Sequence, residues 1–449
     1  MIRNWVLGAT LSVAATGVLA QGTPPVSATP TTPAAPRPGT TAPATTGTTS
    51  GSSMGAVRPG NLVLPQLAVI GFGGTAATPG NTGRLISQCL TLADIASPAA
   101  DALSVANLAS ADLGKPGVQY DAWAGAGVSY VLKGSGPNGE QVELFDIPSK
   151  TRILGQAYAS ASAEPRRVAL RITDDVMKAM TGRPGIFSSR IAYLTGGRNK
   201  DIVITEPDGQ GQRRLIDDRA LVAAPTWGKL GTEIYFTSYR DNNPDLYGIT
   251  LDGRRWDISR RPGQNTSADW SEAAGRIAAS LSKDGNPEIY SMNREGRGLS
   301  RLTTSPGGDT APAWSPDGSQ IAFTSDRDGV PGIYVMGANG GGARRVSPAG
   351  RYADGASWSP DGQRLAYSVR EQGAFNIHVL DLSSGASVAV ARGAMNTNPS
   401  WGASSRHLVF SSTRSGQRQL FLLNIDTRQA RPIPGTAGAQ EPAWGPVSP

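Results

Sequence analysis

The spacing of hydrophobic and polar positions changes character near Arg190. Before it the pattern is mixed. "NLVLPQLAVIGFGG" is a strand-like apolar run that ends in Gly71 to Gly74. Ala100 to Gly114 predicts a helix stopped by Gly114 and Pro116. "VSYVLKGSG" and "EQVELFDIPSK" predict a hairpin around Pro137-Asn138-Gly139, with alternation at Val142, Leu144 and Asp146. "TRILGQAYAS" is a further strand. Val168, Ile172, Val176 and Met180 fall on one face of a helix that Pro165 opens and Gly182 closes. Residues 58–182 therefore predict a small α/β domain, a mixed sheet of three or four strands with two helices.

After Arg190 short β-rich runs recur behind a comb of tryptophans: Trp227, Trp270, Trp314, Trp358, Trp401 and Trp444. Subtraction gives intervals of 43, 44, 44, 43 and 43 residues. A β-rich repeat of that length is the mark of propeller blades with four strands each. In one unit the Trp closes a first strand, and Ser315-Pro316-Asp317-Gly318 makes a tight turn. "IAFTS", "GIYVM" and "RRV" are the next three strands. The indole is suited to fill the gap between adjacent sheets. Six strand sets of this kind occur, starting at Arg190. The first set lacks a Trp before it, and Trp444 lacks a set after it. If Trp444 supplies the missing inner strand, residues 183–449 close as a six-bladed, mainly β propeller without exposed sheet edges. Trimming about the last ten residues is then expected to open the ring.

The N-terminus adds an address rather than a fold. Arg3 and the apolar run Val6 to Leu19, ending at Val18-Leu19-Ala20, predict a signal peptide over residues 1–20, with an uncleaved anchor as the alternative. Residues 21–57 are almost wholly Pro, Thr, Ala, Gly and Ser, which predicts a disordered linker with nothing to bury. The mature chain is expected in the periplasm, with no later transmembrane span. Its single cysteine, Cys89, can form no internal disulfide and is expected to be a small buried hydrophobe. The formal charge of +7 points to acidic envelope surfaces. No Lys/Arg-rich block of the nucleic-acid kind accompanies it.

Catalytic chemistry is poorly represented. No Gly-x-Ser-x-Gly elbow occurs. The two histidines, His378 and His407, sit in strands and are expected to be partly exposed; with one Cys they make no zinc pattern. Asp-Gly pairs at Asp317, Asp328 and Asp361 read as turns, with calcium ligation left open. Asp174-Asp175 and Asp217-Asp218 suggest no partner. The expectation is a protein that is not an enzyme and carries no cofactor or metal.

The repeat "PAWSPDGSQIAFTSDRDGVPGIYVM" resembles the WD40-like propeller repeat of the TolB family. The junction "TDDVMKAMTGRPGIFSSRIAYLTG" and the stretch "LFDIPSKTRILGQAY" resemble that family more specifically, and the likeness covers about residues 58–449. The resemblance implies a non-enzymatic periplasmic component of the Tol-Pal system. Such a protein associates with the lipoprotein Pal and with TolA, and supports outer-membrane integrity and cell division. It also implies a Pal contact on the loops before the Pro-x-Trp positions, at one channel mouth. The TolA-binding N-terminal segment of the family has no counterpart here that can be assigned, because the Pro/Thr linker either replaces or precedes it.

Those same loops stand out in their own right, because the segment leading into each inner strand rims the channel. The residues expected to bind a partner there are Asn265, Thr266, Asp309, Thr310, Asp354, Asn396, Thr397, Asn398, Gln440 and Glu441. Short polar side chains in these positions either meet a partner loop or cap their own turns. The resemblance thus implies a scaffold, expected as a monomer, that holds a Pal-like lipoprotein and a TolA-like inner-membrane protein. The alternative is a propeller that binds a glycan or a small acidic ligand in a basic channel.

Overall fold

The computed structural model describes residues 63–447, apart from 74–80, 101–102, 136–140, 159–163, 198 and 217–218. The signal peptide, the linker, the hairpin turn at Pro137-Asn138-Gly139 and the Asp217-Asp218 pair lie outside the described residues. The first part runs β1 (Gln66–Gly71), α1 (Asn81–Leu92), β2 (Ser97–Pro98), α2 (Leu103–Asp112), α3 (Tyr120–Gly125), β3 (Tyr130–Ser135), β4 (Gln141–Asp146), β5 (Thr151–Ala157) and α4 (Pro165–Thr181). The sheet order is β2-β1-β3-β4-β5. β1 is parallel to β2 and β3, and the remaining pairs are antiparallel. The sheet is mixed, as expected. It has five strands rather than three or four, and the described residues hold four helices rather than two.

Both faces of this sheet are covered, which explains why the alternation in β4 breaks. Val142 and Leu144 join Ile86 and Leu90 of α1 and Ile172 and Val176 of α4 on one side. Phe145 joins Ala109 of α2 and Trp123 of α3 on the other. A strand buried on two faces has no polar side to show. Cys89 is buried in α1 with a free thiol, as a small hydrophobe would be.

From Ile191 onward the chain builds six four-stranded sheets. Blade 1 is formed by Ile191–Thr195, Asp201–Thr205 and Arg213–Ile216 together with Gln440–Trp444 from the far end of the chain. Trp444 pairs with Ile191 and Ala443 with Ala192, so the predicted closing blade is present. Blades 2 to 6 begin with the inner strands Val222–Trp227, Asn265–Ser271, Asp309–Trp314, Ala353–Trp358 and Asn396–Trp401.

Three of the tryptophans staple blade to blade by hydrogen bonds. The indole N–H groups of Trp227, Trp358 and Trp401 donate to the backbone carbonyls of Ala443, Ala313 and Ser357, each on the inner strand of the preceding blade. Gly445 follows Trp444 because a Cβ there would stand 2.7 Å from the Trp227 ring. The first turn of blade 2, which lacks Ser-Pro-Asp-Gly, is a short 3-10 segment with Leu230 at φ 53°. Blade 3 closes Ser271–Arg276 by another turn, with Gly275 at φ 62°. Neither departure removes a strand.

The α/β domain is bolted to one end of the ring. Inner strands start at one channel mouth, here termed the leading mouth, and end near their Trp at the trailing one. His407, which opens the second strand of blade 6, is therefore at the trailing end, since it lies across from the Trp401 end of the inner strand. Its Nε2 bonds the Ala93 carbonyl at 2.8 Å and its Nδ1 meets Ser404 Oγ. Asn424 also donates to Ala93, and Arg431 pairs with Asp94 at 3.0 Å. Arg166 at the start of α4 grips Glu206 and Asp208 in a blade 1 turn. Asp174, whose role the sequence left open, accepts the backbone N–H groups of Phe187 and Ser188 at 2.7 Å and so folds the linker back on α4. Gly185 is required in that linker: a Cβ would sit 2.3 Å from the Asp174 Cα. Asp175 accepts the Tyr158 hydroxyl.

Candidate functional site at the leading mouth

Every inner strand carries the same irregularity. The pairing with the second strand slips between the fourth residue before the Trp and the residues next to it, in all six blades. The residue three before the Trp takes up the slip with positive φ: Ala224 at 49°, Ser267 at 54°, Ala311 at 48°, Gly355 at 65°, Asn398 at 55° and Glu441 at 49°. Five of the six are not glycine, so the bulge is held against a conformational cost of about 1 kcal/mol or more each. The surrounding blade provides the restraint. The N–H groups of Ser267, Gly355 and Asn398 point at the hydroxyls of Thr237, Thr324 and Ser368 on the preceding blade, each at 3.3 Å. In blade 1 that hydroxyl position is Leu194, and Glu441 compensates: its Oε2 accepts the Ala224 N–H at 2.8 Å.

The bulge sorts the expected binding residues into two groups. Asn265, Asp309 and Asn396, five residues before their Trp, are wholly buried. Asn265 bonds Ser259 and Asp245, Asp309 pairs with Arg327 at 2.8 Å, and Asn396 bonds Ser412 and the Phe375 carbonyl. These three side chains are spent inside the fold. Thr266, Thr310, Asp354 and Thr397, one residue later, are half-buried along the channel, as is Asn398. The side chains of Thr266, Thr310 and Asn398 make no hydrogen bond to any described residue, and Thr397 Oγ1 is buried without a partner. Asp354 accepts the Tyr352 hydroxyl at 2.8 Å. Gln440 and Glu441 are buried, and Glu441 Oε1 has no partner.

The electrostatics of the throat run opposite to the basic channel expected from the overall charge. The six inner strands carry four carboxylates, Asp269, Asp309, Asp354 and Glu441, of which Asp309 is turned inward on Arg327, and not one Lys or Arg. Asp269, which the sequence did not single out, joins three blades by accepting the Trp314 N–H at 2.7 Å and the Thr226 hydroxyl at 3.2 Å. Desolvation by the surrounding protein pushes its carboxyl up to about 6. It does the same to Asp354, also to about 6, with only the Tyr352 hydroxyl opposing. Burial raises Glu441 to about 7, against the Ala224 N–H, Lys200 and Arg418. An anionic ligand would meet carboxylates here. Among the described residues no three His, Cys, Asp or Glu side chains converge as a metal would need.

The histidines depart from expectation, since both are buried rather than partly exposed. His407 is the domain anchor described above. His378 takes the third-strand position occupied by Tyr247, Tyr290 and Tyr334 in blades 2 to 4, and stacks on Tyr367 at 6.1 Å.

Similarity to known proteins agrees with this architecture. The family described as the TolB beta propeller domain matches residues 177–448, more than half of the chain. The chain belongs to the TolB family. The Tol-Pal system protein TolB of Desulfosudis oleivorans is 34% identical over 189 residues, 41% of this chain and 43% of that protein. TolB of Anaeromyxobacter dehalogenans is 32% identical over 195 residues, 42% of this chain and 45% of that protein. The matched stretches thus span less than half of these TolB relatives. The crystal structure of TolB from Acinetobacter baumannii superposes with a TM-score of 0.74 at 23% identity, over 85% of this chain and 97% of that one, which supports the fold alone. No helix among the described residues is long and apolar enough to cross a membrane.

Proposed function

We propose that this TolB-family protein is a non-enzymatic periplasmic scaffold of the Tol-Pal system, acting as a monomer. Its leading mouth holds a Pal-type lipoprotein. Its α/β domain faces the inner-membrane, TolA-like component, and the linkage serves outer-membrane integrity and cell division. The observation that carries this reading is the set of Thr266, Thr310, Thr397 and Asn398, whose side chains are half-buried and have no hydrogen-bond partner among the described residues. A protein that strains five non-glycine residues to present such groups is organised to meet a complementary loop. The opposite end is occupied by the α/β domain, which leaves the leading mouth accessible.

The test is capture of the soluble domain of the Pal-type lipoprotein from the same cells. Changing Thr266, Thr397 and Asn398 together to Ala is expected to abolish capture without altering the thermal melt. Unchanged capture by that triple variant would overturn the assignment. Asn265, Asp309 and Asn396 are unsuitable for this test, because their loss would injure the fold.

A further inference from the structure

The rim of the leading mouth has two unlike halves. Second strands end at this mouth, since Asn396 at the start of an inner strand pairs with Ser412 at the end of the next. The loops after the second strands, and those leading into the inner strands, therefore share one face. On blades 2 to 4 these loops carry acids that pair most of their cations, with Arg240 and Arg261 left without an ion pair to a described residue. The second-strand loops read Arg240-Asp241, Lys283-Asp284 and Asp326-Arg327-Asp328. Arg260 pairs with Asp241, Lys283 with Asp284, Arg327 with Asp309 and Arg345 with Asp328. Tyr247, Tyr290 and Tyr334 each donate to the acid of that loop as well.

The arrangement then changes. From Gln372 to Ala439, no Asp or Glu lies on any loop at this mouth; the acids in that stretch, Asp381 and Asp426, are at the other end of their strands. What the loops carry instead is Arg392, Arg414 and Arg418, flanked by Arg370 on blade 5 and Lys200 on blade 1. None of these five makes an ion pair with a described residue, whereas Arg351 is paired with Glu371. Arg370, Arg392 and Arg414 are exposed. Arg414 lies over the rings of Phe410 and Phe421, which holds its charge in place. Three consecutive blades thus present cations that pair with no described acid, beside a throat lined by carboxylates.

We infer that the basic crescent formed by Arg370, Arg392, Arg414, Arg418 and Lys200 docks an acidic segment of the protein partner that enters the leading mouth. This rests on the reading of that mouth as a partner site, and adds the chemistry and the side of approach. Clustered surface cations repel one another without a folding gain, and their collection on one side of a polar concavity gives an oriented field for a complementary partner. A flat anionic membrane is the less suitable occupant. Among the described residues the exposed large hydrophobics are Val63, Leu103, Leu113, Leu230 and Val447, and none of these stands on these loops to insert into lipid.

The experiment follows association of the full chain with the soluble Pal-type domain at several salt concentrations. Arg370, Arg392 and Arg418 are changed together to Glu, and, in a second variant, to Gln. Arg297 and Arg344, exposed at the trailing end, are changed to Glu as a control. The Glu triple variant is expected to associate at least about tenfold more slowly at low salt and to lose most of its salt dependence. The Gln variant should fall between, and the control should match the unchanged protein. Equal association rates and salt slopes in all four proteins, while the Thr266/Thr397/Asn398 variant still fails to bind, would overturn the crescent and leave the mouth assignment standing. Absence of binding by the unchanged chain would overturn both. Loss of binding to phosphatidylglycerol vesicles, with protein association intact, would assign the crescent to a membrane and overturn the inference.

Discussion

The two ends of the propeller solve opposite problems with similar residues. At the trailing end polar groups bond across from one domain to the other: His407 and Asn424 on Ala93, Arg431 on Asp94, Arg166 on Glu206 and Asp208, with Asp94 Oδ2 and Arg431 Nε left without a further bond. At the leading end a comparable set of threonines, asparagines and carboxylates is held by backbone bulges, and several of its atoms are left unbonded. Satisfied polar groups in low dielectric fix one arrangement; unsatisfied ones cost stability unless something else completes them. The contrast separates the end that assembles the molecule from the end that is left for another.

The contrast can be pressed from its strongest point downward. Deleting residues 440–449 removes the strand that pairs with Ile191 and the indole that bonds Ser189. Loss of a buried Trp alone costs about 3–5 kcal/mol. The truncated chain is expected to lose its cooperative melt in calorimetry rather than show a shifted one. His407→Ala should cost about 2–4 kcal/mol and expose α1 to hydrogen exchange before the blades. Burial holds His407 below its ordinary value of 6.5, so the fold favours the neutral ring. Its contribution is complete above that value and is lost as pH falls through the folded pKa. The variant should accordingly be less acid-sensitive than the parent in pH-dependent melts.

Glu441→Gln tests the leading end. A carboxyl raised from 4.5 to about 7 binds its proton more tightly in the fold. Its contribution is complete below 4.5 and is lost as pH rises through about 7, a difference of order 3 kcal/mol. The amide should flatten stability between those limits and match or exceed the parent by about 2 kcal/mol at pH 8. At Asn398, with φ 55°, a β-branched Val should cost about 1–2 kcal/mol, while Gly should be close to neutral. The smallest effect is Thr397→Val, within about 0.5 kcal/mol of the parent in denaturant melts, because Oγ1 has no bond to lose. A large loss there would mean that the leading mouth is as internally committed as the trailing one.

Much of the ring could be read before any coordinates, because a Trp every 43 or 44 residues is a strong periodic signal and the unpaired first and last units point at each other. The helix at Pro165–Thr181 was equally plain, with its Pro start and its Gly182 end at φ 70°. α1 was not, although Leu85, Ile86, Cys89 and Leu90 share a face, since weak flanking signals left its ends unmarked. The bulges were invisible for a different reason. Positive φ at Ala224 and Ser267 has no local signature and goes with hydrogen bonds to the neighbouring blade. That tertiary fact is also what turns Asn265, Asp309 and Asn396 inward and their neighbours toward the channel. The sign of the channel was misread because net charge reports the whole surface, and the carboxylates of the throat are a small, enclosed fraction of it.

The head-to-tail sheet of blade 1 also sets a timetable. Synthesis delivers Ile191–Thr195 early and Gln440–Trp444 last, so an apolar strand rim waits, uncovered, while five complete sheets are laid down after it. During that interval the nascent polypeptide is an open arc whose free margin can recruit a chaperone or a stray β-segment. The Gln440–Trp444 strand acts as a latch, and the speed with which it arrives determines how long that hazard lasts.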